Sequence, residues 1–318
     1  MPGIRRSLPP NAGLVALAVL VSAVALLPLG FVVWAAVEIG CQQASALIFR
    51  GRVAELLVNT LLLELCAVPL AILLAVALAW LTERSDLPGA RIWSWLAVAP
   101  LAVPAFVHSY AWISAVPSLH GLSAATLVSV LAYTPFVYLP VAAQLRRLDP
   151  AAEDVAASLG LGPWTVFLRV VLPQLRLAIC GGSLLVGLHL LAEYGLFALI
   201  RFDTFTTANY KTWYGFYSLS GATQLASLLL LAVMVHLLRA RRARGASRPG
   251  NERARSGALY HLRGARALAA SAWCGLVFAC AFVVPLLQLL VWFWQRGRFD
   301  LDERYYGLIL HTLYLGAL

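Results

Sequence analysis

Charge is scarce in this 318-residue chain: only 12% of residues are Asp, Glu, Lys or Arg, while 61% are apolar. A soluble domain of this length needs far more polar surface to cover its core, so a water-soluble globule is excluded. Lysine is nearly absent. Of the 24 basic residues, Lys211 alone is not arginine, and no basic stripe interleaves with exposed aromatics, which argues against nucleic-acid binding. The five cysteines make no framework. Cys66, Cys180, Cys274 and Cys280 fall inside apolar runs, Cys41 falls in an expected exterior loop, and no CxxC or Cys/His pair has zinc spacing. They read as small packing residues. A GxxxxGK[ST] loop is missing, so nucleotide is not bound through that motif, and no catalytic arrangement lies on a water-exposed scaffold.

Apolar runs are abundant, and the mean hydropathy is +0.82. Crossing a hydrocarbon layer of about 30 Å takes about 20 residues in a helix. Runs of that kind occupy about 13–37, 54–81, 92–115, 123–145, 177–200, 221–239 and 268–294, and an eighth begins near Tyr306. The expected fold is an all-α, polytopic transmembrane helical bundle. Arg5 and Arg6 before the first run imitate a secretory signal, but Gly13 to Val37 is too long for a signal core and reads as an uncleaved span. With the N-terminus in the cytoplasm, 17 basic residues lie inside and seven outside; the opposite orientation inverts the ratio. Positive residues stay inside, so the N-terminus is expected to be cytoplasmic.

Residues 240–267 are rich in Arg, Gly and Ser and form a basic cytoplasmic linker held near anionic lipid. The segment after the linker resembles the start of the chain. Pro28, Trp34 and Asn59-Thr60-Leu61 are echoed by Pro285, Trp292 and His311-Thr312-Leu313, with 32 residues from proline to threonine in the first copy and 27 in the second. The expected organisation is a first six-span unit at 1–239, the linker, and the first spans of a second, truncated unit at 268–318.

The segment between the fourth and fifth spans, about 146–176, carries the most information. Asp149 suits a helix N-cap and Pro150 the first helical position. Glu153 and Asp154 sit where the helix dipole favours acids, and Gly160 ends the helix. Gly162-Pro163 then starts a second short helix, and Pro173 precedes the fifth span. Two short helices at a sharp angle would make a rigid protrusion suited to pushing on another protein; the plainer alternative is a connecting loop.

These residues resemble the EAA loop of ABC importer permeases: EAA, three residues, Gly, nine residues, then Ile-x-Leu-Pro. Asp154-Val155-Ala156, Gly160 and Val170-Val171-Leu172-Pro173 occupy those places, with Glu153 beside the leading acid. YTPFVYLPVAAQLRR at 133–147 and LAEYGLFALIRFDTFTTANY at 191–210 are similar to the ferric-iron branch, which is known as fused two-unit permeases. The resemblance implies a multi-pass protein of the bacterial inner membrane that performs no covalent chemistry and binds no cofactor. Its partners would be a cytoplasmic ATPase dimer that uses the ATP, a periplasmic solute-binding protein, and a second permease unit. Glu153, Asp154, Val155, Ala156, Gly160, Val170, Leu172 and Pro173 would then couple to the ATPase.

Ionisable residues inside spans are costly and invite a functional reading. Glu64, His108, Tyr110, His189 and Glu193 stand out. His189 and Glu193 share a helix face at i and i+4, and with Tyr110 they offer an oxygen and nitrogen set that a hard trivalent ion tolerates. Tyr110, His189 and Glu193 are therefore candidates for a translocation path. Hydrogen bonding within the bundle is the favoured alternative to a true metal site, and none is assigned. Ferric iron is the expected solute, with thiamine, a phosphonate, a polyamine or sulfate as the runner-up. An ion-coupled secondary transporter and a purely structural subunit are the rivals from other classes.

Overall fold

A computed structural model describes residues 12–38, 51–148, 151–215, 226, 233, 260–296 and 303–317. Among them the chain is helical, with one isolated backbone bridge and no strand. The expected sixth span at 221–239, Cys41, Asp149, Pro150 and most of the linker lie outside these residues.

Helix α1 (Ala12–Glu38) is apolar, and its described side chains face outward. Helix α2 (Gly51–Glu83) packs mainly against α5 (Gly121–Arg147). On α2 a ladder of Ala67, Ala71, Ala75 and Ala79, one every four residues, is buried against the bundle, while Leu65, Leu70 and Leu73 point out. Small residues at a helix interface let two backbones approach, and lipid accepts the leucines. Helix α5 is the centre of the bundle: 72% of its most apolar stretch is buried. Its 27 residues reach about 40 Å, longer than the hydrocarbon layer of about 30 Å.

The third run is not a straight span. Helix α3 (Ala90–Leu96) and a 3-10 turn (Ala99–Ala102) meet α4 (Ala105–Ala115) at a bend of 93°. Pro100 and Pro104 cause it. Val103, directly before Pro104, is extended (φ −105°, ψ 121°), as the pyrrolidine ring demands of its predecessor. His108 is buried on α4, with Nε2 3.3 Å from the Pro100 carbonyl across the break.

The fifth span also departs from expectation. A short helix α6 (Ala151–Ser158) stands alone, but the second short helix does not end before Pro173. It continues as α7 (Pro163–Ala192) through a π-helical turn at Phe167–Val171. Leu172 N–H donates to Phe167 O, five residues back. Proline in a helix removes one donor and crowds the preceding turn, and a wider turn just before it relieves the crowding. Helix α10 (Ala265–Gln295) repeats the device: its π-turn at Ala279–Val283 also ends two residues before a proline, Pro285. The span ends at Ala192 rather than 200, and short helices α8 (Gly195–Ile200) and α9 (Phe205–Tyr214) come next. Helix α11 (Glu303–Ala317) is the last.

Helices α2, α5, α7 and α10 are long and apolar enough to cross a membrane, and the bent α3–α4 pair makes a fifth crossing if it counts as one. Helix α10 lays Ala270, Cys274 and Ala281 against the bundle, while most of its leucines stay exposed. Helices α5 and α7 touch at Gly182, where a Cβ would sit 2.6 Å from Val137 Cα and 2.8 Å from Phe136 O. Neither backbone atom can swing away. Gly182→Ala is expected to lower stability by about 1–3 kcal/mol, as overpacking does, read as the thermal midpoint in detergent. An unchanged midpoint would show that the two helices can separate freely.

Candidate coupling loop and polar path

Helix α6 has two unlike faces. Glu153 and Ala156 point inward; Asp154, Val155 and Leu159 point out. Glu153 is only 5% exposed and forms an ion pair with Arg84, at the end of α2, at 2.7 Å. Arg84 Nη2 also reaches the Leu148 carbonyl at 3.4 Å. Burial pushes the Glu153 carboxyl above its usual range; Arg84 pulls it back and Asp154 adds to the rise. Its second oxygen and Arg84 Nε make no hydrogen bond within the described residues, so the pair holds α6 in place at an electrostatic cost.

The helix ends as the glycine requires. Gly160 adopts φ +81°, Gly160 N–H donates to Ala157 O at 3.0 Å, and Leu161 N–H donates to Ala156 O at 3.2 Å. This pair of bonds closes a helix on a left-handed residue, normally glycine. Space around a Gly160 Cβ is open, so substitution there acts through φ and through whatever the new side chain meets outside. Gly162 then leads into Pro163, the first residue of α7. Farther on, Val171 is fully buried, Val170 and Leu172 are half-buried, and Pro173 is exposed. The loop's anchors are thus Val171 and Phe167; the Phe167 ring packs edge-on against Trp80, centroids 4.8 Å apart. The loop's exposed side chains include the apolar Val155, Leu159, Trp164 and Leu168, with Leu159 75% and Trp164 77% exposed, beside the polar Asp154, Ser158 and Arg169. Sequence reasoning named Val155 but missed Leu159, Trp164 and Leu168, because it followed the motif positions rather than the outward side chains.

Among the described residues no hydrogen bond or ring contact joins Tyr110 to His189 or Glu193. Tyr110 is exposed on α4 and packs on Trp292 of α10, ring centroids 4.2 Å apart. His189 and Glu193 meet instead around Tyr133 of α5. The Tyr133 hydroxyl donates to Glu193 Oε2 at 2.6 Å, and the His189 ring lies 5.5 Å from the Tyr133 ring and 4.2 Å from that of Phe136. His189 Nδ1 is 2.8 Å from Leu185 O. Glu193 is the extended residue that ends α7, and its Oε1 accepts Leu196 N–H at 2.9 Å, capping α8. Glu64 is half-buried on α2. Among the described residues no three His, Cys, Asp or Glu side chains gather as a metal site.

At the opposite end of α2 from the loop, Asp203 gathers partners. Lys211 Nζ lies 2.6 Å from Oδ1, Arg52 pairs with Oδ2, and Asn59 donates to the Asp203 carbonyl at 3.0 Å. Thr204 and Thr207 cap α9 reciprocally. Burial pushes Asp203 up, but the hydrogen bonds from Lys211 and Arg52 outweigh it and hold the carboxyl below its ordinary 3.8. A depressed carboxyl stabilises the fold above its unfolded value and loses that contribution as pH falls through the folded value. Both cations are half-exposed, so the tether contributes no more than about 1 kcal/mol. Hydrogen exchange over 200–214, corrected for intrinsic rate, should be flat from pH 8 to 5 and quicken below about pH 4. Asp203→Asn should remove the pH step; a step that persists would assign it elsewhere.

No protein-family model matches the chain. The Fe(3+)-transport system permease protein FbpB 2 of Haemophilus influenzae is 37% identical over 204 residues, 64% of this chain and 40% of that protein. The sulfate transport system permease protein CysW of Synechocystis is 27% identical over 159 residues, 44% of this chain and 56% of that one. Among solved structures, the inward-facing MetNI methionine ABC transporter superposes with a TM-score of 0.52 at 17% identity, over 63% of this chain and 100% of that one. The homologues of this chain are ABC importer permeases. They are transport proteins rather than enzymes, and the helical fold is theirs. The chain spans about half the length of the curated relatives it matches: 40% and 56% in these two cases.

Proposed function

We propose that this chain supplies one six-span unit, with the start of a second, to the membrane permease of an ATP-driven importer in a bacterial inner membrane, its N-terminus cytoplasmic. The observation that carries the reading is the loop around α6: Glu153 is pinned inward to Arg84, while Val155 of α6, Leu159 just after it, and Trp164 and Leu168 of α7 are exposed. An exposed apolar patch on a rigid protrusion suits a protein partner, here a cytoplasmic ATPase dimer. A periplasmic binding protein would deliver the solute to the opposite side, where Asp203 ties the first turn of α2 to the loop before α9.

Ferric iron is the solute we favour, on the 37% identity to an Fe(3+)-transport permease. Sulfate is the second reading, since sulfate permeases match at 26–31% over shorter stretches. The polar group beside the path is the Tyr133–Glu193–His189 set rather than one that includes Tyr110. A passing ion needs weak contacts, and Glu193 already serves two donors. Radiolabelled ferric iron and sulfate uptake, in cells lacking other importers of each, tests both points. Iron should enter and sulfate should not. Glu193→Gln should slow entry, because one amide oxygen replaces two acceptors facing Tyr133 and Leu196. Sulfate uptake in place of iron would overturn the substrate; iron uptake untouched by Glu193→Gln would remove the path.

A further inference from the structure

The last residues of the linker, from Tyr260 on, do not hang free. Tyr260 N–H donates to Arg84 O and Asp86 N–H donates to Tyr260 O, both at 3.2 Å, a short parallel pairing of 260 with Ser85. The Tyr260 ring lies on Trp80 of α2, centroids 5.0 Å apart. Asp86 fastens the next two residues: His261 Nδ1 lies 3.0 Å from Oδ2, and Leu262 N–H donates to Oδ1 at 2.5 Å. Helix α10 begins three residues later, at Ala265. On its other side the same stretch of α2 holds the loop, through Arg84 to Glu153 at 2.7 Å and to Leu148 O, and through Trp80 to Phe167.

We propose that Trp80–Asp86 is a junction joining the coupling loop, α2 and the entry to α10 into one moving body, so that a push on α6 reaches α2 and α10 together. Arg84 is its positioning residue. Its guanidinium grips the loop while its carbonyl grips the chain that enters α10. Trp80 does the same with its two ring partners. Each contact is modest, but they share one helix end, and α2 also packs against α7. The proposal rests on the importer reading and adds to it: the first unit's loop would drive a helix assigned to the second unit.

The test uses the full permease with its ATPase and binding protein in vesicles, in a background whose native cysteines are replaced. The readout is solute moved per ATP hydrolysed, with ATPase co-purification measured alongside. Asp86→Cys with His261→Cys, oxidised to a disulfide, should leave the ratio unchanged, because the clasp stays closed through the cycle. Asp86→Ala with Tyr260→Ala removes the side-chain contacts of the clasp and should lower the ratio by about tenfold, while Tyr260→Phe with Asp86 intact, which keeps the ring on Trp80, should leave it unchanged. A disulfide that stops transport while hydrolysis continues would overturn the proposal, as would an unchanged ratio in the double alanine variant. Should that variant fail to fold, the disulfide result decides alone. Failure of the unaltered permease to bind any ATPase would overturn the importer reading instead.

Discussion

Trp164→Ala is expected to weaken assembly with the ATPase by roughly thirtyfold or more, the usual cost of truncating a tryptophan anchor at a protein interface. Trp164 stands 77% exposed beside Leu159, at 75%, on the outer side of the loop. Its ring meets that of Phe167 edge-on, centroids 6.2 Å apart, and so open an indole holds up little of the permease itself. Removing it should leave the thermal midpoint nearly unchanged while the partner is lost. Leu159→Asp should do the same by placing a charge in the apolar face. Titration of purified ATPase onto permease in detergent measures the effect. Equal affinity for Trp164→Ala and the unaltered protein would mean that the apolar quartet faces something else.

Arg84→Ala should act in the opposite manner, through stability. It leaves Glu153 buried without its partner, and breaking a buried ion pair from one side costs about 3–5 kcal/mol. Replacing both members by apolar residues, Arg84→Met with Glu153→Leu, should recover most of that loss, since no charge is left to bury. Acid should also rescue the single variant in part. The Glu153 carboxyl is already held above its ordinary 4.5 by burial. A carboxyl raised in the fold contributes stability below its unfolded value and loses it as pH rises through the folded one. Thermal midpoints at pH 5 and pH 8 should therefore differ more for Arg84→Ala than for the unaltered chain. A single variant as stable as the double one at pH 8 would show that Glu153 is not buried there.

The bundle was legible because lipid forces long apolar runs, and α2, α5 and α10 begin and end within a few residues of expectation. Two prolines spoiled the third run. Hydropathy is blind to direction, so it could not show that Pro100 and Pro104 turn the chain through 93°. At Pro173 the error ran the other way. Proline usually ends a helix, but here a π-turn absorbs it, and α7 runs on from the loop into the membrane. Gly160 was legible because a left-handed helix end asks for glycine, and the structure gives it φ +81°.

The candidate site was read less fully. Adjacent acids look alike in a motif, yet a helix sends neighbours about 100° apart: Glu153 goes to Arg84 and Asp154 to solvent. Its partner is 69 residues away, a distance no local pattern spans. Tyr133 was missed for the same reason. His189 and Glu193 were paired by spacing, and the group that joins them comes from another helix. Tyr110 was grouped with them by polarity alone, and the bend before α4 sets it against Trp292.

Dependence of transport on the ATPase tests the central claim most directly. Vesicles carrying the full permease, loaded with ATP and supplied with labelled ferric iron on its binding protein, should take up iron when the ATPase subunit is present. They should take up none when it is omitted or when Leu159→Asp uncouples it. Uptake that proceeds at the same rate without the ATPase, driven by an ion gradient, would contradict the account.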